Sequence, residues 1–534
     1  MYACGRIVSI FRLAHVEVSR RSLPWNNVNN DWGKMEDFDK RRFARFEKDE
    51  ALFHHCYDGY PYWQLLRFYA CKAAFDNAVF TKSTTWSFRK ALRFVSKGFR
   101  LTFCAVLGKL SLLTLKDSEV VCFHGVIQSD FFYKGWSLPE NISRVFVRTS
   151  VPNTITKGLN DCVSPMWPYL VARIKHGLGK RLRKGSRDVK EYRFLQTLER
   201  KMSLEFGSSM TAEQMEDMIR RNKQVHLETK RFYERLFDKT NCRAIIVVCY
   251  YQELLYPVYE LAKERDVIII ELQHGVIFNH QSYWFEDQSG TNIFVPDYFL
   301  AFGKGHIDGA KMLSSTYALP LGYPFQDEQI EELRGVQADD KLIVVYPEAN
   351  ELFEEVIIRL SDLASPKGYK IVIKLHPLQC NDYEALYPAL SKDCNVTFST
   401  DQSKGIYHWL SKAKHHVMVN TTVGLEAVRI PGIAVYIADF LHHEQLQLLL
   451  DYGVARTFKS AGELMSQIEN PLVSENDELC GRLWTHDSAR NFEDFFSELK
   501  KQDWPSPDNF RIGTENNDFT RFGKSANVTK GNPC

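Results

Sequence analysis

Three apolar runs in the second half of this chain each close on a polar cluster, and that pattern constrains the fold more than any other feature. DVIIIELQHG ends on His274 and Gly275, and YKIVIKLHP ends on His376 and Pro377. HHVMVNTTVGLEAV passes through Asn420, Thr421, Thr422 and Gly424 to Glu426. Near-continuous apolar runs of this length are the mark of strands buried on both faces, the habit of parallel sheets. In such sheets the carboxyl ends of the strands open onto the ligand crevice. Two histidines and a Thr/Gly helix start at three such ends point to an enzyme that handles phosphate esters.

The alternation extends in both directions. CRAIIVVCYY, PDYFLAFG, KLIVVYPEAN, NVTFST and IAVYIADF read as further strands, with QELLYPVYELAKERD and ELFEEVIIRLSDLA as helices between them. Strands alternating with helices give an α/β chain with helix-covered parallel sheets. SEVVCFHG and SRVFVRTS, about 20 residues apart, add an earlier βαβ unit. At 534 residues the chain exceeds one ordinary core. The charged stretch EELRGVQADDK divides it into a first α/β unit, residues 51–336, and a second α/β unit, residues 337–500. Residues 1–50 are expected to be an extension, and 501–534, rich in Asn, Asp, Gly, Ser and Lys, a disordered tail.

A formal charge of +2 gives no global bias toward nucleic acid. Twelve cysteines without a Cys-x-x-Cys pair exclude the common zinc and redox spacings, and read as reduced thiols of a cytoplasmic protein. Leu101–Leu115 is the most hydrophobic segment, but it contains Lys109 and is too short for a membrane span. Residues 173–240 are charged and helical in pattern, a basic insertion. RIKHGLGKRLRKGSRDVKEYR holds nine Lys/Arg in 21 residues. A solvated helix face is its plain meaning, and contact with anionic lipid head groups, as at an inner membrane, or with an acidic polymer is the sharper one.

Each cluster carries two readings. Thr421, Thr422 and Gly424 at a helix start offer free N–H groups to a phosphate, with Glu426 reaching ribose hydroxyls. The same residues also suit an ordinary helix cap. Lys374 and His376 share strand parity, so both could meet a nucleotide phosphate. A neutral His274 facing a cleft can accept a proton from a hydroxyl. Glu271 or the Glu286–Asp287 pair could orient it or act as base instead. Tyr283, Trp284 and Phe285 could stack on a sugar ring or pack in a core. His124–Gly125 repeats the strand-terminal His-Gly pair, so that pair is not unique to one position.

In their order, ELQHGVIFNHQSY, PDYFLAFG, LGYP, KLHP and NTTVGLEA resemble the bacterial surface-polysaccharide glycosyltransferases of the GT-B type. That group spans capsule and lipopolysaccharide biosynthesis proteins, with sialyl- and Kdo-transferase relatives and the teichoic-acid glycerophosphotransferases. The resemblance covers residues 242–439. It implies two Rossmann-like domains facing across a cleft and a metal-independent reaction with no cofactor beyond the nucleotide-sugar co-substrate. By the same resemblance His376, Pro377, Thr421 and Thr422 bind the donor phosphate, and His274 with Gly275 carries the base. A CMP-sugar is the favoured donor and a glycan or glycolipid the acceptor. Transfer from a CDP-glycerol-type donor, or a non-catalytic role in capsule assembly, are the alternatives. The Asp/Glu-Asp-Gly triplet of the sialyltransferases is missing, since Gln288 follows Glu286–Asp287, and the first 240 residues carry no motif of the group.

Overall fold

The computed structural model describes residues 37–57, 60–75, 115–124, 141–148, 162–163, 165–182, 189–277, 294–310, 315–333 and, with short gaps, 335–506, together with residues 112 and 509. A two-stranded antiparallel ladder, β1 (Cys56–Tyr57) and β2 (Tyr60–Pro61), precedes two parallel sheets. The first sheet contains β3 (Val120–His124), β4 (Arg144–Arg148), β5 (Cys162–Val163), β6 (Ala244–Val248), β7 (Ile268–Leu272), β8 (Tyr298–Ala301) and β9 (Tyr317–Pro320). Its order is β5-β4-β3-β6-β7-β8-β9. The second contains β10 (Asp339–Tyr346), β11 (Lys370–Lys374), β12 (Val396–Ser399), β13 (Ala413–Met418), β14 (Ala434–Ala438) and β15 (Ala455–Phe458), in the order β12-β11-β10-β13-β14-β15. Every pairing in both sheets is parallel. The chain is therefore a pair of Rossmann-like α/β units: the parallel α/β class expected from its apolar runs, in the two-domain GT-B-like form that the resemblance implies.

Burial explains why those runs became strands. All five residues of β6, β7 and β14 are buried, so helices must cover both faces. In each sheet the strand order reverses at one point, between β3 and β6 in the first and between β10 and β13 in the second. Crevices at such reversals are where ligands bind in open α/β sheets. β9 and β15, which the sequence reading did not pick out, are four-residue edge strands. β9 ends at Pro320, a residue that an edge tolerates.

One face of the first sheet packs Phe43, Trp63, Leu195, Met202, Tyr233 and Leu236 over Val121, Ile245 and Ile269. Its other face shares a single apolar cluster with the second sheet, in which Val248, Leu272 and Leu300 join Val344, Tyr346, Met418 and Trp484. The two units thus meet through a common core.

Three segments differ from expectation. Asp37–Asp49, placed in the extension, is a helix whose Phe43 and Glu47 are buried. The supposed basic insertion supplies core: Ala212–Lys239 is a capped helix that buries eleven residues and leads directly into β6. Most of its charges lie on the outer face, while Met215, Ile219, Phe232 and Leu236 recur on the inner one together with the buried Glu216. Ser488–Lys501, assigned to the second unit, returns to the first. Phe495 packs against the Tyr298 ring at 5.5 Å, and the Lys500 ammonium reaches Glu119 Oε2 at 2.8 Å. Residues 1–36 and the tail beyond 509 lie outside the described residues.

Candidate functional site

The end of β7 carries Gln273, His274 and Gly275. Gln273 is fully buried, and its side-chain amide holds the turn from three sides. Its Oε1 accepts from the Phe302 N–H at 2.7 Å, and its Nε2 donates to the Gly275 carbonyl and to His306 Nδ1, at 2.7 and 2.8 Å. Burial keeps His306 neutral, its pKa pushed down to about 3, so that Nδ1 can accept. The sequence reading passed over Gln273. An uncharged amide closing an otherwise apolar strand was the available signal, because a buried amide must find partners. Gln273→Leu should cost about 2–3 kcal/mol by stranding these groups. It should also lower turnover by loosening His274. Denaturation midpoints and steady-state rates check both effects.

His274 is half-buried. Its Nε2 lies 3.5 Å from the Tyr251 hydroxyl, while Nδ1 is shielded and has no hydrogen-bond partner. Desolvation pushes its pKa down to about 4, so the ring is neutral at physiological pH. Three residues earlier, on β7, Glu271 is buried and accepts from the Tyr250 N–H at 3.0 Å, which ties it to the backbone after β6. Cys249 begins that turn in the left-handed region, at φ 61°. Glu286, Asp287 and the Tyr283–Phe285 aromatics lie outside the described residues, and so does the side chain of His124.

On the second sheet, β13 ends at Met418 and the chain turns through Asn420–Thr422 into a single helical turn, Val423–Ala427. So short a helix has little macrodipole, and any phosphate affinity rests on individual N–H groups and hydroxyls. Thr421 Oγ1 accepts from the Val423 N–H at 3.4 Å, a weak cap, whereas the Thr422 side chain makes no capping bond. Gly424 departs from its expected role. It is buried, and a Cβ there would come within 2.8 Å of Leu446 and 2.9 Å of Met418. The glycine lets the helical turn pack on the strand, which is a steric task inside the core.

Glu426 is half-buried at the seam, and Tyr323, Tyr346 and Tyr407 all feel its charge. Desolvation raises its pKa to about 7, against a smaller opposing effect of the Tyr407 hydroxyl. Its folded pKa stands above the ordinary 4.5. Its stability contribution is therefore complete below about pH 4.5 and lost as pH rises through 7. Glu426→Gln should raise the melting temperature at pH 8 and leave it unchanged at pH 4, as thermal scans at the two pH values can show.

At the end of β11, Lys374 is buried and His376 exposed, while Pro377 lies outside the described residues. The His376 backbone N–H donates to Gln379 Oε1 at 3.0 Å. Gln379 Nε2 donates to the Tyr387 hydroxyl, which reaches the Pro347 carbonyl after β10. Buried Tyr387 thus ties the β11 loop to the β10 end, another anchor the sequence did not advertise.

The two halves of the site meet. A Cβ on Gly275 would stand 3.8 Å from the Thr422 methyl, so the His-Gly turn of the first sheet faces the Thr-Thr turn of the second. Around this contact the seam is pinned by polar bonds. Arg429 pairs with Asp327 at 2.6 Å, Asp327 also accepts from Ser488, and Trp484 Nε1 donates to the Leu425 carbonyl at 3.1 Å. The structure therefore brings His274, Gly275, Thr421, Thr422 and Glu426 to one seam. Lys374 and His376 stand on the far side of β10 from the Thr421–Thr422 turn.

No protein-family model matches the chain, and no curated protein matches it. Among solved structures, the UDP-GlcNAc 2-epimerase of Methanocaldococcus jannaschii, in complex with UDP-GlcNAc and UDP, matches at 10% identity and a TM-score of 0.40. That match covers 72% of this chain and 99% of the epimerase. MurG of Acinetobacter baumannii matches at 12% identity and a TM-score of 0.35, covering 72% and 100%. A substituted form of the wall teichoic acid polymerase TagF, soaked with CDPG, matches at 12% identity and a TM-score of 0.38, covering 78% and 98%. At such scores these likenesses carry no weight beyond the sheets described above.

Proposed function

We propose that this protein is a glycosyltransferase that moves a sugar from a nucleotide-activated donor to a hydroxyl of a glycan or glycolipid. The approach of Gly275 to Thr422 carries the reading, because it sets strand ends of two parallel sheets against each other at one seam. The second sheet takes the nucleotide, with Thr421, Thr422 and the exposed His376 around its phosphate and Glu426 toward the ribose. The first sheet takes the acceptor. His274, held neutral by desolvation, accepts the acceptor proton as the hydroxyl oxygen attacks the anomeric carbon. The bond from that carbon to the phosphate oxygen breaks, and the nucleotide leaves with the electron pair. Fixed N–H and hydroxyl donors stabilise the departing phosphate, usually the largest catalytic contribution at such a site. A CMP-sugar is the first candidate donor, and the glycerophosphate unit of a CDP-linked donor would use the same arrangement.

Calorimetric titration with CMP, CDP, UDP and GDP tests the reading. One nucleotide should bind selectively, and folded protein that binds none of them would overturn it. Contact with an anionic membrane is also proposed for the helix Met166–Leu182, where Trp167 and Leu178 are exposed beside the basic run. Among the described residues, no helix is long and apolar enough to cross a membrane. Vesicles of anionic lipid should float the protein at low salt and release it at high salt.

A further inference from the structure

At the ends of β11 and β12, Lys374 and Ser399 are register partners, so their side chains stand side by side on one face of the sheet. Both residues are 7% exposed. The Ser399 hydroxyl is shielded and has no hydrogen-bond partner. Lys374 makes no hydrogen bond or ion pair among the described residues, and Asp401 and Cys380 act on its ammonium only through their fields. Burial lowers its pKa against those two fields. A buried cation and a buried hydroxyl left unmatched are each costly. An oxyanion between them would answer both, accepting from the ammonium and from the hydroxyl.

A phosphate at the Thr421–Thr422 turn cannot fill this place as well. Ser399 lies on β12 and Thr421 follows β13, and the order β12-β11-β10-β13 sets them three strand spacings apart. That is roughly 14 Å. One phosphate with hydrogen bonds of about 2.8 Å on either side spans less than that distance. Two oxyanions on one ligand fit better than one. We infer that Lys374 and Ser399 form a subsite for the terminal phosphate of a nucleoside diphosphate, while the Thr421–Thr422 turn holds the phosphate next to the ribose. This inference rests on the nucleotide-donor reading, and it moves the donor preference from one linking phosphate to two.

The test is calorimetry with CMP, CDP, UMP, UDP and inorganic pyrophosphate on the unsubstituted protein and on Lys374→Met and Ser399→Ala. The preferred diphosphate should bind about tenfold or more tighter than its monophosphate. Both variants should erase that advantage and leave the monophosphate affinity unchanged. Without ligand, Lys374→Met should melt at the same temperature or higher, because it removes a buried unpaired charge. Equal weakening of mono- and diphosphate would place the phosphate common to both at this site, and overturn the inference. Unchanged affinities would overturn it too. If no nucleotide binds the unsubstituted protein, the donor reading falls. Pyrophosphate binding that Lys374→Met abolishes would then still uphold the phosphate subsite, and absence of pyrophosphate binding would remove it.

Discussion

His274→Ala should lower turnover by roughly 10²–10⁴-fold, the usual range for losing a positioned general base, while nucleotide affinity stays as it was. The separation follows from the fold. His274 stands on the first sheet, whereas Thr421, Thr422, His376 and Lys374 stand on the second. Removing the imidazole leaves a space beside Tyr251 and disturbs none of the bonds that Gln273 makes to Phe302, Gly275 and His306. The variant should therefore fold and melt close to the unsubstituted protein. Its pH dependence gives a second check. The His274 pKa is pushed down to about 4, so this ring is already neutral throughout the range from pH 5.5 to 8. Glu426, whose pKa is raised to about 7, titrates within that window, and its share of any rate change there should vanish in Glu426→Gln. Full turnover in His274→Ala would remove the residue from the chemistry. Equal loss of nucleotide binding and turnover would make its role structural.

How far the site could be read from the sequence depended on what each residue does. The apolar runs declared the parallel strands because a strand buried on both faces has no polar alternation to hide it. The positions of His274, Thr421 and Thr422 just past strand ends were legible because polar groups interrupt those runs there. Gln273 and Tyr387 were not, because their importance lies in bonds to backbone groups distant in sequence, Phe302 for one and Pro347 for the other. Ser399 was invisible for a related reason. Its meaning comes from the β11–β12 register, which no local pattern records. Gly424 misled because a glycine before a helix suits a phosphate and a tight helix–strand contact equally well, and only the positions of Leu446 and Met418 decide between them. The return of Ser488–Lys501 to the first sheet was hidden likewise: its Phe492, Phe495, Phe496 and Leu499 stripe predicts a buried face but not the partner.

The same distinction governs the largest expected effect on stability, which falls in a segment that looked like an arm. Glu47 is 1% exposed and Arg67 5%. Two bonds join them, from Arg67 Nε to Glu47 Oε1 at 2.7 Å and from Nη2 to Oε2 at 3.0 Å, and Trp63 Nε1 donates to the same carboxylate at 2.8 Å. These bonds staple the Asp37–Asp49 helix to the Trp63–Phe75 helix, with Phe43 stacked on Trp63 at 6.4 Å. Glu47→Ala removes both of these bonds from the buried Arg67 guanidinium, and the one from Trp63, and should cost about 3–5 kcal/mol. A double variant, Glu47→Leu with Arg67→Met, removes both charges and should recover most of that loss, since an apolar pair of similar volume avoids the desolvation cost. The single variant should therefore lose stability, and the double variant should regain most of it. Urea denaturation of the three proteins checks this. A Glu47→Ala protein with an unchanged midpoint would return residues 37–49 to the status of an arm.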